Sequence, residues 1–440
     1  MLSRHHQIAL VDQASRRVLV VPHEEGPRLP RPDGRWPDHR DLVAAVAAPG
    51  AVLAGPPWRE DDGTVTNVLL GDHSGRSDAT WWPLDDVATL AVSDETRAGL
   101  LRTLGECEEG APDDGRAAWF RRGWLDAVHA WVDDVFPLLG IEPRGPAEHV
   151  KIWSLSAVLR HPVVRAGIEQ DVWFKATCDG FHSEPALTQA ICGLAPDLTP
   201  RVLAVDGERA WMLMEPIPTA HEDTDPAHAP AIAQALARLQ LDTLDQHDAL
   251  RSAGAPDRGR DGTLAWLHTV LRGSVERHLM TDEQHAAALA IEPWLVDRVE
   301  QFWSHGLPDT LAHGDLHLGN VAWVGDRPVF FDWTDACLTH PFLDACHLAD
   351  SAADGAGPDQ ADEAAAAVWS AYLAPWRAAF PDVDLEPVRA QVEVAELVFQ
   401  MISYEQIYRA QPETARWELA TIVVEILDKL VSAHRVATEG

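Results

Sequence analysis

Apolar residues at 8–11 and 18–21 flank the polar stretch 12–17, a pattern that predicts a β-hairpin. Residues 41–48 and 93–104 predict helices, and 65–70 predicts a strand between them. From 117 to 139, Phe120, Trp124, Val128, Trp131 and Val135 recur in steps of four, four, three and four, the period of one helical face. The stretch 106–116 just before it carries Gly, Pro and acidic residues and predicts a linker. Strand-like runs return at 151–155, 157–160, 172–176, 202–205 and 211–214, with one helical stretch at 184–192. After Asp225 the pattern is helical to the end, except for a β-rich island at 321–332. Two long helical stretches, 386–409 and 412–436, close the chain, and no internal repeat interrupts the series.

This order predicts four segments: a small α/β domain at 1–105, a linker and helix at 106–147, a β-rich lobe at 148–218 and a helical lobe at 219–440. At 440 residues the chain is too long for one core, so several packed units are expected. A cleft between a β-rich and a helical lobe is a common place for a ligand.

Composition narrows the function. The net charge of −34 repels phosphate backbones and argues against nucleic acid as a partner. No apolar run of membrane-spanning length occurs, and the start from Met1 to Gln7 has no apolar signal core, so a cytoplasmic protein with no membrane partner is expected. The five cysteines are odd in number and scattered, as in reduced cytosolic proteins. Only three of the 35 basic residues are lysines, namely Lys151, Lys175 and Lys429. A lysine kept in an arginine-rich background points to a role that arginine does not fill.

The candidate chemistry lies in His313-Gly314-Asp315-Leu316-His317-Leu318-Gly319-Asn320, followed by Val329-Phe330-Phe331-Asp332. Phosphoryl transfer needs a carboxylate near the attacking hydroxyl and oxygen ligands for Mg²⁺. Asp315, Asn320 and Asp332 supply them, provided a turn and hairpin bring the three together. His313, Asp315 and His317, with His340 and His347 nearby, also have the spacing of zinc-hydrolase ligands, although that idea leaves Asn320 and Asp332 unexplained.

His-Gly-Asp-x-x-x-x-Asn and a hydrophobic strand ending in Asp resemble the aminoglycoside phosphotransferase and choline kinase family, small-molecule relatives of the protein kinases. The resemblance covers residues of about 148–440. It implies a bilobal, protein-kinase-like α+β fold that binds ATP (or GTP) with Mg²⁺. It makes Asp315 the catalytic base and Asn320 and Asp332 the metal ligands. Upstream, Lys175 in an apolar strand would orient the phosphates, and Glu184 at the next helix would hold Lys175. The backbone of Glu215 and Ile217 would meet the adenine. Ser154 and Ser156 fall where the family has its nucleotide-covering loop, although this loop has no glycine. Asp344 resembles a family aspartate that braces the catalytic loop.

Several readings remain open at this level. The acceptor is an amino sugar, an aminoglycoside or another antibiotic-like compound, weakly favoured by the acidic balance, or else a neutral sugar or primary metabolite, as in maltokinase-like, choline or homoserine kinases. A silent nucleotide-binding pseudokinase is the competing class. Glu396 and Glu405 either line an amine pocket or form a solvated helix face. Asp335 is a substrate ligand or a turn residue. The 18 tryptophans are read as core packing before a sugar platform. The N-terminal hairpin and Trp82-Pro83-Leu84-Asp85 faintly resemble a Nudix-like fold, but the helix at 41–48 has no metal-binding glutamates, so the domain is a degenerate copy or a cap.

Overall fold

The computed structural model describes residues 5–32, 37–110, 114–217 and 224–439. The first four residues of the chain, 111–113 of the expected linker and Pro218 at the expected lobe boundary lie outside that set. The chain forms two compact units: 1–178 with 411–418, and 179–410 with 419–440. The fold is α+β, with sheets dominating the first unit and helices the second.

The first unit begins with β1 (His5–Asp12), β2 (Arg17–Val20), α1 (His39–Ala45), β3 (Val52–Leu53), β4 (Trp58–Arg59), β5 (Thr64–Leu70), β6 (Thr80–Pro83) and α2 (Asp94–Glu109). β1 and β2 form the expected hairpin, with Val11 opposite Val18. The sheet runs β3-β5-β1-β2-β6, with β4 also on β5, and only the β1–β5 pair is parallel. The run Ile8–Val11 of β1 is apolar without alternation because both sheet faces are covered there. Ile8 and Leu10 pack with Leu42 of α1, whereas Ala9 and Val11 pack with Leu100 and Leu104 of α2.

α2 runs through the first part of the expected linker. Glu106 to Glu109 are good helix formers, and the helix stops only at Gly110, whose φ of 102° suits glycine. α3 (Trp124–Leu138) then starts after Gly123 rather than at 117. Its buried face is Trp124, Val128, Val132 and Phe136, one step around from the face expected. Trp124 and Trp131 both meet Phe174 edge-on at 6.0 Å, so these two tryptophans are packing residues.

The unit continues with β7 (Ile141–Pro143), β8 (Glu148–Ile152), β9 (Ser156–Arg165) and β10 (Ile168–Thr177). β9 is the hub, antiparallel to the other three. The later segment 411–418, with a short 3-10 turn at Glu413–Glu418, packs as part of this unit.

The second unit holds α4 (Glu184–Leu194), β11 (Val202–Asp206), β12 (Trp211–Met214), α5 (Ala229–Asp242), α6 (His247–Ser252), α7 (Arg260–Gly273), α8 (Asp282–Ala290) and α9 (Glu292–Trp303). It continues with β13 (Thr310–Ala312), β14 (Val321–Val324), β15 (Arg327–Phe330), β16 (Cys337–Thr339), α10 (Phe342–Ala356), α11 (Ala361–Ala379), α12 (Glu386–Ala410) and α13 (Ile422–Glu439). Its main core gathers Phe302, Phe330, Trp333, Phe342, Tyr372 and Trp376, all essentially without solvent contact. The island expected at 321–332 is the β14–β15 hairpin, with Val321 opposite Phe330. The helix expected from 412 begins only at Ile422. Thr421 has a φ of 80°, and the buried Glu276 carboxylate accepts the N–H groups of Thr421 (2.8 Å) and Val424 (3.2 Å), which fixes the start of α13 there. Among the described residues no helix is long and apolar enough to cross a membrane.

Candidate active site

β13 leads directly into the His313–Asn320 loop and is held by pairing with β16, which follows the β14–β15 hairpin. Asp344, on the first turn of α10, accepts the N–H of His313 at 2.7 Å and of Gly314 at 2.9 Å. Burial pushes the Asp344 carboxyl up, against the opposing pull of His313 and of these two N–H groups. Gly314 is required twice over. Its φ is 84°, and a Cβ there would lie 2.2 Å from the carbonyl oxygen of Asp335. The Asp335 backbone therefore closes over the loop. The His313 ring packs on Trp333 and bonds the Phe331 carbonyl at 2.9 Å, which ties the loop to the end of the hairpin.

Two of the three oxygen-bearing residues meet directly. Asn320 donates its side-chain N–H to the Asp315 carbonyl (2.8 Å) and to the Asp315 carboxylate (3.3 Å). The Phe331 N–H bonds the Asn320 carbonyl at 3.1 Å, so Asp332 follows directly on the residue opposite Asn320 at the open end of the hairpin. Asp332 has left-handed backbone angles, φ 63° and ψ 62°, and its carboxylate accepts the Thr334 hydroxyl. The donor set is all oxygen, which fits a hard divalent cation such as Mg²⁺. No group of three or more His, Cys, Asp or Glu among the described residues is arranged to hold a metal ion. His340, one member of the zinc reading, is buried against Phe302, and burial pulls its imidazole down to about 3.

Asp315 is flanked by two histidines. His347 Nε2 lies 3.5 Å from one carboxylate oxygen, and His317 Nε2 lies 3.8 Å from the other. The opposite nitrogen of His347 meets Glu396 at 3.3 Å. Burial works against the charged form of Asp315, but the His347 bond and the neighbouring His317 and His347 outweigh it and hold the carboxyl below its ordinary value. Burial likewise opposes the charge on His347, yet its two carboxylate partners raise it to about 10.

A cavity of about 840 Å³ opens on these histidines. It is lined by His317 and His347, by the carboxylates Asp350 and Asp354 of α10 and Glu396 of α12, and by Glu425 and Lys429 of α13. Glu396 is buried and faces this cavity. Glu405 does not, because its carboxylate accepts from the Ser274 hydroxyl, the Val275 N–H and Arg409, a wholly structural arrangement.

The remaining predicted residues are distributed over both units. Lys175 sits in β10 opposite Val158, buried between Phe174 and Ala176. Glu184 is the first residue of α4 and is 1% exposed. The Glu215 N–H bonds the Arg201 carbonyl at 2.9 Å, and Ile217 is buried with Ala322 and Val329 of the hairpin. In the β8–β9 loop, the Ser156 hydroxyl accepts the Trp153 indole N–H at 2.9 Å. Ser154 gives both its N–H and its hydroxyl to Glu418, and accepts an N–H of Gln411.

Sequence reasoning missed His347 as a neighbour of Asp315, weighing it only as a zinc ligand. The available signal was its place three residues after Asp344, on the same face of α10. Glu418 gave no local signal, because its partner lies 264 residues away.

Residues 180–380 match the sequence model of the phosphotransferase enzyme family. A comparison with curated proteins gives no match. Among solved structures, the chain is similar to a putative fructosamine-3-kinase of Thermobifida fusca, at 17% identity and a TM-score of 0.46, over 72% of this chain and 99% of that one. It is similar to an aminoglycoside phosphotransferase of Streptomyces rimosus at 20% identity and a TM-score of 0.41, over 63% and 98%. It is also similar to an ethanolamine kinase of Plasmodium vivax at 13% identity and a TM-score of 0.44, over 78% and 94%.

Proposed function

We propose that this kinase transfers the γ-phosphate of ATP to a hydroxyl of an amine-bearing small molecule, an amino sugar or aminoglycoside-like compound. The cavity lining of Asp350, Asp354 and Glu396 carries this reading. An ammonium group on the acceptor is attracted to such a lining. A neutral sugar can hydrogen-bond to these carboxylates but gains no charge pairing from them.

In this reading the acceptor hydroxyl attacks the γ-phosphorus while the bond to the bridging oxygen of ADP breaks. The hydroxyl proton passes to Asp315. Mg²⁺, when bound, would be held by Asn320 and Asp332 and would neutralise charge on the nucleotide phosphates. Lys175, positioned by Glu184, would orient those phosphates, with Glu215 and Ile217 at the adenine and Ser154 and Ser156 in the covering loop. Residues 1–105 would form a non-catalytic domain, 106–147 a connector, and 148–218 and 219–440 the two kinase lobes, in a cytoplasmic enzyme.

The test is ADP release from MgATP with a panel of amino sugars, aminoglycosides, choline and neutral sugars. Turnover with amine-bearing members and not with neutral sugars is expected. Turnover confined to neutral sugars overturns the substrate class. ATP binding without turnover on any member indicates a pseudokinase. The Asp315→Asn variant should lose about 10²- to 10⁴-fold in kcat while still binding nucleotide.

A further inference from the structure

We propose that His347 is a positioning residue for phosphoryl transfer: its ring, clamped between Asp315 and Glu396, acts as a fixed cation that orients the Asp315 carboxylate. The inference rests on the reading of Asp315 as the base.

Two observations carry it. Both ring nitrogens of His347 face carboxylate oxygens, at 3.5 Å to Asp315 and 3.3 Å to Glu396. A neutral imidazole has one N–H, so only the imidazolium can donate to both. The ring also completes a cage around the base. One oxygen of Asp315 faces His347, and the other faces Asn320 at 3.3 Å and His317 at 3.8 Å. His317 contributes from a defined tautomer, since its Nδ1 accepts the Gly319 N–H at 3.0 Å and leaves the proton on Nε2. With both oxygens held, rotation of the carboxylate is restricted, which is the pre-alignment that a transfer to a loosely bound hydroxyl needs. Glu396 is thereby committed to His347, leaving Asp350 and Asp354 as the free acidic surface of the cavity.

Titratable groups face His347 from the loop (Asp315, His317), from its own helix (Asp344, Asp350), from α12 (Glu396, Tyr404) and from α13 (Glu425, Lys429). The carboxylates dominate this set, and its value of about 10 agrees with that balance.

The test has a structural and a kinetic arm. In the unmodified full-length protein, nitrogen-detected NMR of the histidine rings should show His347 doubly protonated above pH 8. Titration near pH 6.5 would overturn the proposal without any variant. For kinetics, MgATP and the best acceptor of the panel are used. His347→Gln should lower kcat by about ten- to a hundred-fold with little change in KM for ATP. Glu396→Gln removes one of the two carboxylates that raise His347, so the ring loses its proton at lower pH. The alkaline fall in kcat should then begin at least one pH unit earlier than in the unmodified enzyme. An unchanged kcat in His347→Gln together with strong loss in Asp315→Asn sinks the positioning role alone. Full turnover in Asp315→Asn sinks the base reading itself.

Discussion

Two loops of this protein are each held by a carboxylate from a distant segment, and they are held to opposite effect. In the second unit Asp344 accepts the N–H groups of His313 and Gly314, behind the face that carries Asp315. In the first unit Glu418 accepts the N–H and hydroxyl of Ser154, which are the very donors a phosphate-covering loop would present. The first carboxylate binds backbone N–H groups of its loop. The second fills its loop's donors with an anion from the same chain. The contrast teaches that backbone satisfaction has no direction of its own; function depends on which side of the loop the carboxylate approaches.

Three substitutions sharpen or break the comparison. The largest effect is expected at Asp344. Its replacement by Ala strands two buried N–H groups, at about 1–3 kcal/mol each, and should lower both the urea midpoint and kcat. A variant with normal stability and turnover would show that the brace is dispensable. Next, Gly314→Ala forces a Cβ against the Asp335 carbonyl in a left-handed backbone. A loss on the order of 1–2 kcal/mol from the backbone alone is expected, with further loss from the clash. Thermal unfolding measures it, and an unchanged Tm would mean that Asp335 yields freely. The smallest effect belongs to Glu418→Gln. Removing one charge near an incoming triphosphate is worth about 1 kcal/mol, so KM for MgATP should fall several-fold. A rise in KM would mean that Glu418 organises the loop for phosphate instead of competing with it.

Much of the architecture could be read from local pattern. The β1–β2 hairpin, α4, α12 and the β14–β15 hairpin all carry periods or turns that single segments reveal. The Asp315–Asn320 loop was legible because its chemistry and its spacing lie within eight consecutive positions. What escaped is long-range. β13 and β16 are three residues each and exist through pairing with one another across 24 intervening positions. The late start of α13 depends on Glu276, and the closed state of the Ser154 donors depends on Glu418 and Gln411. The role of His347 emerges only when α10 and α12 are placed side by side, since Glu396 sits 49 residues further on. The bounds of the linker expected at 106–116 shift because helix-forming glutamates carry α2 to Glu109, and α3 starts only after Gly123.

The left-handed backbone at Asp332 has an evolutionary consequence. An aspartate held at φ 63° sacrifices on the order of 1–2 kcal/mol of conformational preference that glycine would not. Random mutagenesis screened only for heat tolerance should therefore enrich glycine at this position. Screening the same library for growth that requires the enzyme should purge it, so position 332 can report which pressure a lineage has experienced.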